Sequence, residues 1–280
     1  MYAKDQMTLK PNRDMQQPPI SIITVVRNAG DVIGDALASV AAQTVPLEHI
    51  IVDGLSTDNT ASTVRDYEKR ENGRKDRIVK VIVEKDQGIY DAMNKGISQA
   101  RGRIIGTLNA DDYYPAADIL AATVHVMETR SADILYGDLE YVKAQDTSQV
   151  VRRWHSGKFS RQRFYWGWMP PHPTFFARQA CYRENGSFNV ALGTAADYEL
   201  MLRFMLKKPN RITYLPRVMV KMRTGGISNA SFKNRVSANR MDRAAWKMNG
   251  LRPYPWTLFF KPLRKILQFA PTLLGLHTEV

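Results

Sequence analysis

The sequence predicts an α/β domain with a mainly parallel central sheet and helices on both faces. From Ile20 onward, short apolar runs alternate with stretches of helical periodicity, and four such β-then-α units follow one another. This alternation is typical of parallel sheets, since each crossover helix covers one face of the sheet. The 280 residues suit one large domain or two small ones, and 44% hydrophobic with 24% charged residues is a globular composition. Disordered and fibrous classes are thereby excluded.

The four units fill the first half of the chain, and the second half is less regular. We interpret the second half as a mixed extension of the same domain. The strands predicted from apolar runs are 20–26, 49–52, 78–83, 103–108, 133–142, 149–154, 174–177, 211–214 and 218–222. The helices predicted from periodicity are 32–42, about 60–69, about 90–100, one after Pro115 and one over about 195–206.

Polar residues follow each of the first four strands at its carboxyl end. In open α/β sheets, ligands bind at that edge because loops and helix N-termini converge there. Any single cluster could be a turn or a helix cap, since Asp, Asn, Ser and Gly are common in both. Four clusters in register indicate a binding edge instead. They are Arg27-Asn28 after the first strand, 53–58 after the second, 84–88 after the third and 109–112 after the fourth.

The residues at this edge favour a nucleotide diphosphate held through a metal ion. The segment 27–34 lacks the G-x-G dinucleotide fingerprint and the chain has no P-loop motif, so NAD chemistry and P-loop phosphoryl transfer lose their main support. Carboxylate and amide oxygens are preferred ligands of Mg²⁺ and Mn²⁺. A metal with few protein ligands usually binds substrate phosphates as well. The residues therefore predict a metal at Asp111 or Asp112, with Asp53 hydrogen-bonded to a base or ribose.

Four ordered segments of the chain resemble the family 2 glycosyltransferases, which have the GT-A fold, a Rossmann-like α/β architecture. The resemblance covers most of the chain from Ile20 to about Ser228. Within the family, Gly-Ile-Tyr-Asp-Ala-Met-Asn-Lys-Gly at 88–96 is most similar to bacterial enzymes that build surface polysaccharides. The four segments are 21–28, 51–60, 86–96 and 102–112.

The resemblance implies a nucleotide-sugar donor site at the sheet edge. Asp53 would hydrogen-bond the nucleobase. Asp111 would be the metal-binding aspartate of the family's D-x-D motif, joined through Mn²⁺ or Mg²⁺ to the donor diphosphate. The first position of that motif is the neutral Asn109, which lowers the charge around the metal. The other donor-binding residues implied are Thr24, Val26, Arg27, Asn28, Asp86, Asp91, Asn94 and Ala110.

Further residues are implied on the catalytic and acceptor side. Asp197 matches the aspartate of the family's "ED" motif, the general base, although Ala196 replaces its Glu. His172 lies where related enzymes carry a histidine near the donor and acceptor sugars. Arg223 belongs to the segment 221–228, which matches one that closes over the diphosphate. The resemblance also implies transfer with inversion, in one displacement that needs no covalent nucleophile.

Simpler structural roles stay open for several of these residues. Asp197 lies in the first turn of a predicted helix and could serve the helix dipole. His172, flanked by prolines, could be a packed loop histidine. Asp58 is predicted to cap the helix that follows it, and Asp112 could orient its loop. The aromatic cluster 164–168, which contains Trp168, is either core or a stacking platform for the acceptor sugar.

The positive charge of the protein is concentrated near its C-terminus. The formal net charge is +13 with a pI near 9.8, but residues 201–280 alone carry +14 and residues 1–200 carry −1. After Gly226 two helical stretches are predicted, 231–249 and one from Trp256 interrupted by Pro262, at which the helix would kink or begin. In the second, an apolar face lies opposite Lys and Arg, which is typical of a helix in a membrane interface. The alternative is a helix docked on the catalytic domain.

These observations lead to a domain and location prediction. A lead-in (1–19) without a secretory signal would precede the GT-A catalytic domain (20–228) and a basic helical tail (229–280). A single cysteine, Cys181, excludes a disulfide framework, fits a reducing cytosol and is expected to be buried. The enzyme is expected to be cytoplasmic and peripheral on the inner membrane. There its anionic surface and an acceptor carried on undecaprenyl diphosphate would be its partners.

Two other function classes are weighed against this one. A nucleic-acid-binding protein is suggested by the pI, but the chain has no recognised nucleic-acid motif, and the acidic edge would repel phosphate without a metal. A catalytically silent binder of nucleotide sugars would not need both Asp111 and Asp197. No nucleic-acid partner is therefore predicted.

Overall fold

The structure of the protein is a computed structural model that describes residues 17–225 and 232–267. Residues 1–16 of the predicted lead-in, the segment 226–231 and the end of the basic tail, 268–280, lie outside the described residues. The predicted boundary between catalytic domain and tail falls between 228 and 229, in that gap, and stays a prediction.

The described chain folds into a mixed sheet flanked by helices. The strands are β1 (Ile20–Val26), β2 (Leu47–Asp53), β3 (Arg77–Val83), β4 (Ile104–Thr107), β5 (Asp112–Tyr113), β6 (Ile134–Val142), β7 (Val150–Trp154), β8 (Phe176–Arg178) and β9 (Ile212–Arg223). The α-helices are α1 (Ile33–Ala41), α2 (Thr60–Glu71), α3 (Ile89–Gln99), α4 (Ile119–Thr129), α5 (Arg161–Tyr165), α6 (Gln179–Asn185), α7 (Ala196–Leu202), α8 (Phe232–Met248) and α9 (Thr257–Leu267). Two 3₁₀ turns lie at His172–Thr174 and Val190–Ala195, and a π-helical turn, Arg203–Lys207, extends α7.

The sheet order is β3-β2-β1-β4-β8-β6-β9-β5, and β7 pairs with β6. The four strands β3, β2, β1 and β4 are parallel, which confirms the prediction for the first half of the chain. The pairs β4–β8, β6–β8, β6–β7 and β5–β9 are antiparallel, whereas β6–β9 is parallel. The second half is thus a mixed extension of one sheet, as predicted. β1 and β2 are buried along their whole length, as expected for strands covered on both faces.

Several element boundaries differ from the prediction for local reasons. The two strands expected at 211–214 and 218–222 are one strand, β9, because residues 215–217 bulge opposite the single residue Gly137 of β6. Pro216, which has no N–H to donate, lies in that bulge. The strand expected at 174–177 begins only at Phe176, after the proline-containing 3₁₀ turn. The helix expected to begin or kink at Pro262 begins at Thr257.

Close helix–sheet packing fixes the start of α3 at the ligand-binding edge. A Cβ atom on Gly96 would lie 2.4 Å from Ile23 Cγ2, so α3 approaches β1 more closely than any other residue type would allow. Ala92, Met93 and Ile97 of α3 are buried in the core on that face of the sheet. Cys181 is buried in the same core, as predicted.

The core also contains a buried histidine. His49 of β2 is fully buried between Thr24, whose Oγ1 lies 2.9 Å from Nε2, and Tyr67, whose hydroxyl lies 2.7 Å from Nδ1. Burial lowers the pKa of His49 from 6.5 to about 3. Between these two pH values, the folded protein therefore binds one proton fewer than the unfolded chain. The contribution of His49 to the free energy of unfolding is fully present above pH 6.5 and is lost as the pH falls towards 3.

We expect His49 to account for about 2 kcal/mol of the stability that is lost between pH 7 and pH 5. His49→Gln keeps a donor and an acceptor beside Thr24 and Tyr67 but cannot be protonated in this range. Urea unfolding at both pH values measures the difference. The variant should lose less stability than the wild type on acidification, whereas the same substitution at the exposed His125 of α4 should leave the difference unchanged. Equal losses in wild type and His49→Gln would contradict the buried, neutral state.

The described part of the basic tail is docked on the rest of the protein. Trp246 of α8 is fully buried, and its Nε1 donates to the Tyr198 hydroxyl of α7 at 2.9 Å. Asn249 Nδ2 donates to Glu199 Oε1 at 3.0 Å. Nζ of Lys261 in α9 lies over the Tyr198 ring of α7, 3.5 Å from its centroid. For these residues the docked alternative is the one observed. Among the described helices, none combines the length and apolar character needed to cross a bilayer.

Candidate active site

The predicted edge is formed by the aligned carboxyl ends of the parallel strands. Val26, Asp53 and Val83 lie side by side in the register of β1, β2 and β3. The Gly54 N–H donates to the Val26 carbonyl at 2.9 Å, and the Glu84 N–H donates to the Asp53 carbonyl at 3.1 Å. The loops that follow these strands therefore start from a common, fixed line.

Hydrogen bonds join the loops after β1 and β2 around Asp53. The Asp53 carboxylate is almost fully buried, and its Oδ1 accepts the Ser56 N–H at 2.8 Å. Asn28 adopts a left-handed backbone conformation with φ of 50°, which Asn tolerates better than most residues. Its side-chain Oδ1 accepts the Thr57 N–H at 2.8 Å, and its own N–H donates to Ser56 Oγ at 2.9 Å. Asp53 and Asn28 thus lie in one preformed turn.

Asp58 ties the same two loops together and acts as the predicted cap. Its Oδ1 accepts the Thr60 N–H at 3.0 Å at the start of α2, and its Oδ2 accepts the Gly30 N–H at 3.1 Å. The bonds with Thr60 are the main reason why the pKa of Asp58 is lowered.

Three of the implied donor-binding residues turn their side chains into the core instead. Thr24 is fully buried against His49, and Val26 and Ala110 pack in the apolar cluster beneath α1 and α2. Side chains alternate between the two faces of a strand, and both faces of β1 are buried. Thr24 and Val26 therefore present only their backbone to the edge. The implied contact of these three residues with the nucleotide stays a prediction, and it would use their backbone atoms.

The loop before α3 carries Asp86 and Asp91. Asp86 Oδ1 accepts the Gly88 N–H at 2.9 Å. A Cβ atom on Gly54 would lie 2.2 Å from Asp86 Oδ2 and 3.5 Å from Arg27 Cδ, so the glycine lets both side chains approach the end of β2. Asp91 Oδ2 accepts the Gln87 N–H at 2.9 Å. Arg27, Asp86 and Asp91 are thereby placed at the edge, next to the turn that holds Asp53.

The segment after β4 presents one buried and one available carboxylate. Asp112 is fully buried, and burial, reinforced by the charge of Asp111, raises its pKa well above the usual range. Its Oδ2 accepts from Asn109 Nδ2 at 2.9 Å, which supports the interpretation that Asp112 orients the loop. An aspartate at position 109 would instead set a like charge against Asp112. The neutral residue in the first D-x-D position therefore has a local physical reason.

Asp111 is the residue of this segment that is free to bind a ligand. Within the described residues, its carboxylate has neither a hydrogen bond nor an ion pair. Arg223 lies against its backbone: Nη1 donates to the Asp111 carbonyl at 3.0 Å, while the guanidinium pairs with Asp35 and covers the Tyr113 ring. Arg223 thus positions the loop of Asp111, and the rest of the implied closing segment, 226–228, lies outside the described residues.

The donor set at this segment fits a hard divalent cation. Asp111 offers an unpaired carboxylate, and the buried Asp112 Oδ1 has no hydrogen-bond partner in the described chain. Oxygen ligands of this kind are those that Mg²⁺ and Mn²⁺ prefer. No group of three or more His, Cys, Asp or Glu side chains suited to a metal occurs among the described residues. A metal held here would share its coordination with a ligand.

Asp197, His172 and Tyr90 form a second cluster, at the start of α3. Burial raises the pKa of Tyr90, and the negative charge of the nearby Asp197 adds to the rise. Burial lowers the pKa of His172, and the negative charge of Asp197 opposes this. The His172 and Tyr90 ring centroids are 6.4 Å apart, and both rings contact Phe188. The structure thus brings a partly buried carboxylate, an imidazole and a phenol together at one end of the edge.

The simpler structural roles predicted for Asp197 and His172 are also partly observed. Asp197 lies in the first turn of α7, where its Oδ1 accepts the Tyr198 N–H at 2.7 Å. His172 packs edge-on against Phe188, with ring centroids 5.4 Å apart. Asn94 supports this packing, because its side-chain amide exchanges two hydrogen bonds with the Phe188 backbone, at 2.8 and 2.9 Å. Asn94 has this supporting role, and its implied contact with the donor stays a prediction.

The other carboxylate on α7, Glu199, has a structural role. It is 4% exposed, its oxygens pair with Arg203 at 2.8 and 2.9 Å, and Asn249 of the tail donates to it. A carboxylate held by three donors is poorly suited to accept a substrate proton, so Asp197 is the carboxylate of α7 that is available to a substrate.

Trp168 lies in the core rather than in an acceptor platform. Its ring is 3% exposed, packs between Phe164 and Tyr136, and donates through Nε1 to the Ser156 carbonyl at 2.9 Å. Of the two alternatives given for the aromatic cluster, the core role is the one observed for Trp168. Of the cluster 164–168, only Trp166 is a large exposed side chain, with 43% of its surface accessible.

Sequence reasoning missed two members of the Asp197 cluster, Tyr90 and Phe188. Tyr90 stands within the segment 88–96 that carries the resemblance, so its position beside Asp91 was a usable signal. Phe188 lies in an irregular stretch between α6 and α7 with no periodicity to mark it. Its contacts depend on the fold alone.

Comparison with known proteins agrees with this arrangement. Residues 21–185 match the model of the family described as glycosyl transferase family 2. A "PGL/p-HBAD biosynthesis glycosyltransferase" of Mycobacterium tuberculosis is 31% identical over 221 residues, which cover 77% of this chain and 81% of that protein.

Two solved structures share the fold. S. aureus TarS (1–349) in complex with UDP-GlcNAc has a TM-score of 0.67 and 19% identity, over 93% of this chain and 76% of that one. The mannosyltransferase PcManGT of Pyrobaculum calidifontis, in complex with GDP-Man and Mn²⁺, has a TM-score of 0.61 and 20% identity, over 97% of this chain and 78% of that one.

Proposed function

Because the chain belongs to glycosyl transferase family 2 and has its GT-A fold, we propose that it moves a sugar from a nucleotide-diphosphate donor to a saccharide hydroxyl. The observation that carries the proposal is that two separate carboxylate sites lie at the same edge of the sheet. Within the part of the chain that the structure describes, the Asp111 carboxylate after β4 has no partner, and Asp197 faces Tyr90 and His172 at the start of α3. The resemblance of residues 88–96 to enzymes of bacterial surface polysaccharides suggests that the product is a surface glycan.

The nucleotide would bind at the preformed turn after β1 and β2. Asp53 is fixed in that turn by the Ser56 N–H and would contact the base or ribose there. Asp86 and Arg27 pack against Gly54, beside that turn. The structures of TarS and PcManGT contain UDP-GlcNAc and GDP-Man, which supports a nucleotide-sugar donor without fixing its base.

Asp111 would hold Mn²⁺ or Mg²⁺, with the donor diphosphate completing the coordination. When bound, such an ion supplies Lewis-acid stabilisation of the charge that grows on the leaving diphosphate. Arg223 holds the backbone of Asp111, and Asn109 holds the neighbouring Asp112, so the carboxylate is presented from a supported loop. The Mn²⁺ in the PcManGT structure supports this assignment.

Asp197 would accept the proton of the attacking hydroxyl. The acceptor oxygen forms a bond to the anomeric carbon, the bond from that carbon to the diphosphate oxygen breaks, and the hydroxyl proton passes to the Asp197 carboxylate. A single displacement of this kind inverts the anomeric configuration. Tyr90 and His172 lie beside the carboxylate and would border the acceptor hydroxyl as it reacts.

We further propose that the acceptor is carried on a lipid, such as undecaprenyl diphosphate, at the cytoplasmic face of the membrane. The support is the basic C-terminal region, because clustered Lys and Arg residues favour anionic lipid surfaces. A lipid-carried acceptor is presented only at a membrane surface, so an enzyme that uses it has to work there.

Thermal unfolding in the presence of UDP, GDP or dTDP tests the donor assignment. A ligand that binds the native state stabilises it and so raises the melting temperature. At a ligand concentration of one hundred times Kd, the free energy of unfolding increases by about 2.7 kcal/mol. We expect one nucleoside diphosphate to raise Tm in Mn²⁺ and to lose most of that effect in EDTA. A Tm that no nucleoside diphosphate changes would contradict the proposal.

A further inference from the structure

An exposed apolar surface joins the start of α9 to the loop after α5. We call it the aromatic ridge, and it consists of Trp166, Tyr254, Trp256, Phe259 and Leu263. Trp166, Trp256 and Phe259 expose 43%, 41% and 64% of their surface, and Tyr254 and Leu263 each expose 38%. Large aromatic side chains in one contiguous exposed patch mark an interaction site more often than a solvated face.

The ridge is continuous because its rings contact one another. Leu263 lies one helical turn after Phe259, on the same face of α9. The ring centroids are 5.8 Å apart for Trp166–Trp256, 5.2 Å for Tyr254–Trp256, 5.5 Å for Trp166–Phe260 and 5.9 Å for Phe259–Phe260.

The ridge is held on the catalytic body. Thr257 Oγ1 donates to the Tyr165 carbonyl at 2.6 Å, directly beside Trp166. A Cβ atom on Gly167 would lie 2.5 Å from the Lys261 nitrogen, so the backbones of α9 and of the loop after α5 touch. Lys261 is anchored to Asp242 of α8 at 2.7 Å. The rings therefore project from fixed elements.

The surroundings of the ridge are basic. Residues 243–267 include six Lys and Arg and no Asp or Glu. The charge of Lys261 is neutralised by Asp242, but Arg243, Lys247 and Arg252 are exposed. Such a surface complements an anionic partner, and Arg252 stands two residues from Tyr254 of the ridge.

We propose that the aromatic ridge inserts into the headgroup region of an anionic bilayer and is the membrane-binding surface of the protein. Trp and Tyr favour this region because their rings are apolar at one end and polar at the other. Basic residues beside an inserted apolar face add attraction to anionic lipid. The inference rests on the proposed use of a lipid-carried acceptor, and it assigns membrane binding to a surface that includes Trp166 of the catalytic body.

Sedimentation of the full-length protein with vesicles tests this assignment. The probes are vesicles of phosphatidylglycerol mixed with phosphatidylcholine, and vesicles of phosphatidylcholine alone. We expect the wild type to sediment with the anionic vesicles, and the double variant Trp256→Ser, Phe259→Ser to bind them about tenfold more weakly or worse. The matched control is Met248→Ser, which removes a hydrophobic residue exposed by 55% from the same basic region, outside the ridge.

The possible outcomes separate clearly. Unchanged vesicle binding by the double variant, or equal losses in the double variant and Met248→Ser, would overturn the assignment. A wild type that is a dimer, does not bind vesicles and becomes a monomer on the double substitution would also overturn it, since the ridge would then hold a second copy. Each protein is checked for its Tm and for the effect of nucleoside diphosphate on it, so that failure of the donor site shows independently of vesicle binding.

Discussion

Replacement of Asp197 by Asn is expected to lower kcat by about 10²- to 10⁴-fold, the usual contribution of a general base. The Asn side chain has the same shape and keeps an oxygen that can accept the Tyr198 N–H, but it cannot take a proton from the acceptor hydroxyl. Binding of nucleoside diphosphate should be unchanged, because Asp197 lies in the cluster with Tyr90 and His172 rather than at the turn of Asp53. Steady-state transfer and nucleotide titration measure the two quantities.

Glu199→Gln on the same helix is the matched control for this variant. Glu199 is bonded to Arg203 and Asn249, so its replacement should weaken the attachment of the tail and lower Tm. Turnover should fall far less than in Asp197→Asn, measured well below the lowered Tm. Near-normal kcat in Asp197→Asn, or equal losses in the two variants, would remove Asp197 from the role of base.

Replacement of Asp111 by Ala is expected to abolish the metal dependence of donor binding. Outer-shell partners of protein-bound metals already contribute about 10- to 100-fold in metal affinity, so loss of a direct ligand should cost at least as much. Calorimetric titration of the preferred nucleoside diphosphate in Mn²⁺ and in EDTA measures this. The wild type should bind more tightly in Mn²⁺, and the variant should bind equally weakly in both.

Asp118→Ala controls for loss of a carboxylate as such. Asp118 is exposed and paired with Arg217, away from the loop of Asp111, and its replacement should leave nucleotide affinity unchanged. If Asp111→Ala retained a tighter affinity in Mn²⁺ than in EDTA, the metal would have to be held elsewhere in the site.

The parts of this arrangement that could be predicted are those fixed by strand ends. Asp53, Asp86 and Asp111 follow apolar runs, and parallel strands bring their carboxyl ends to one edge whatever the details of packing. The direction of a side chain along a strand is harder to infer when both faces are buried. The Thr24 side chain points at His49. The sequence does not predict this direction, because β1 shows no polar alternation that would mark its two faces.

Contacts between distant segments could not be predicted. The Asn94 side chain donates to the carbonyl of Phe188, 94 positions further along the chain. Arg223 donates to the carbonyl of Asp111, 112 positions earlier. Neither partner is marked by periodicity or motif. The position of the tail could not be predicted either, because its amphipathic pattern fits both a helix in a membrane interface and a helix docked on the catalytic domain. The decisive contacts, those of Trp246 and Lys261 with Tyr198, depend on tertiary packing.

The central claim is that this edge transfers a sugar from a nucleotide donor with a metal at Asp111 and a base at Asp197. Release of nucleoside diphosphate from a panel of nucleotide sugars, measured with extracted lipid-linked saccharides as acceptors, tests it most directly. We predict release from one donor in Mn²⁺ that stops in EDTA and is nearly abolished in Asp197→Asn. Release that continued at the wild-type rate in EDTA and in Asp197→Asn would contradict the account.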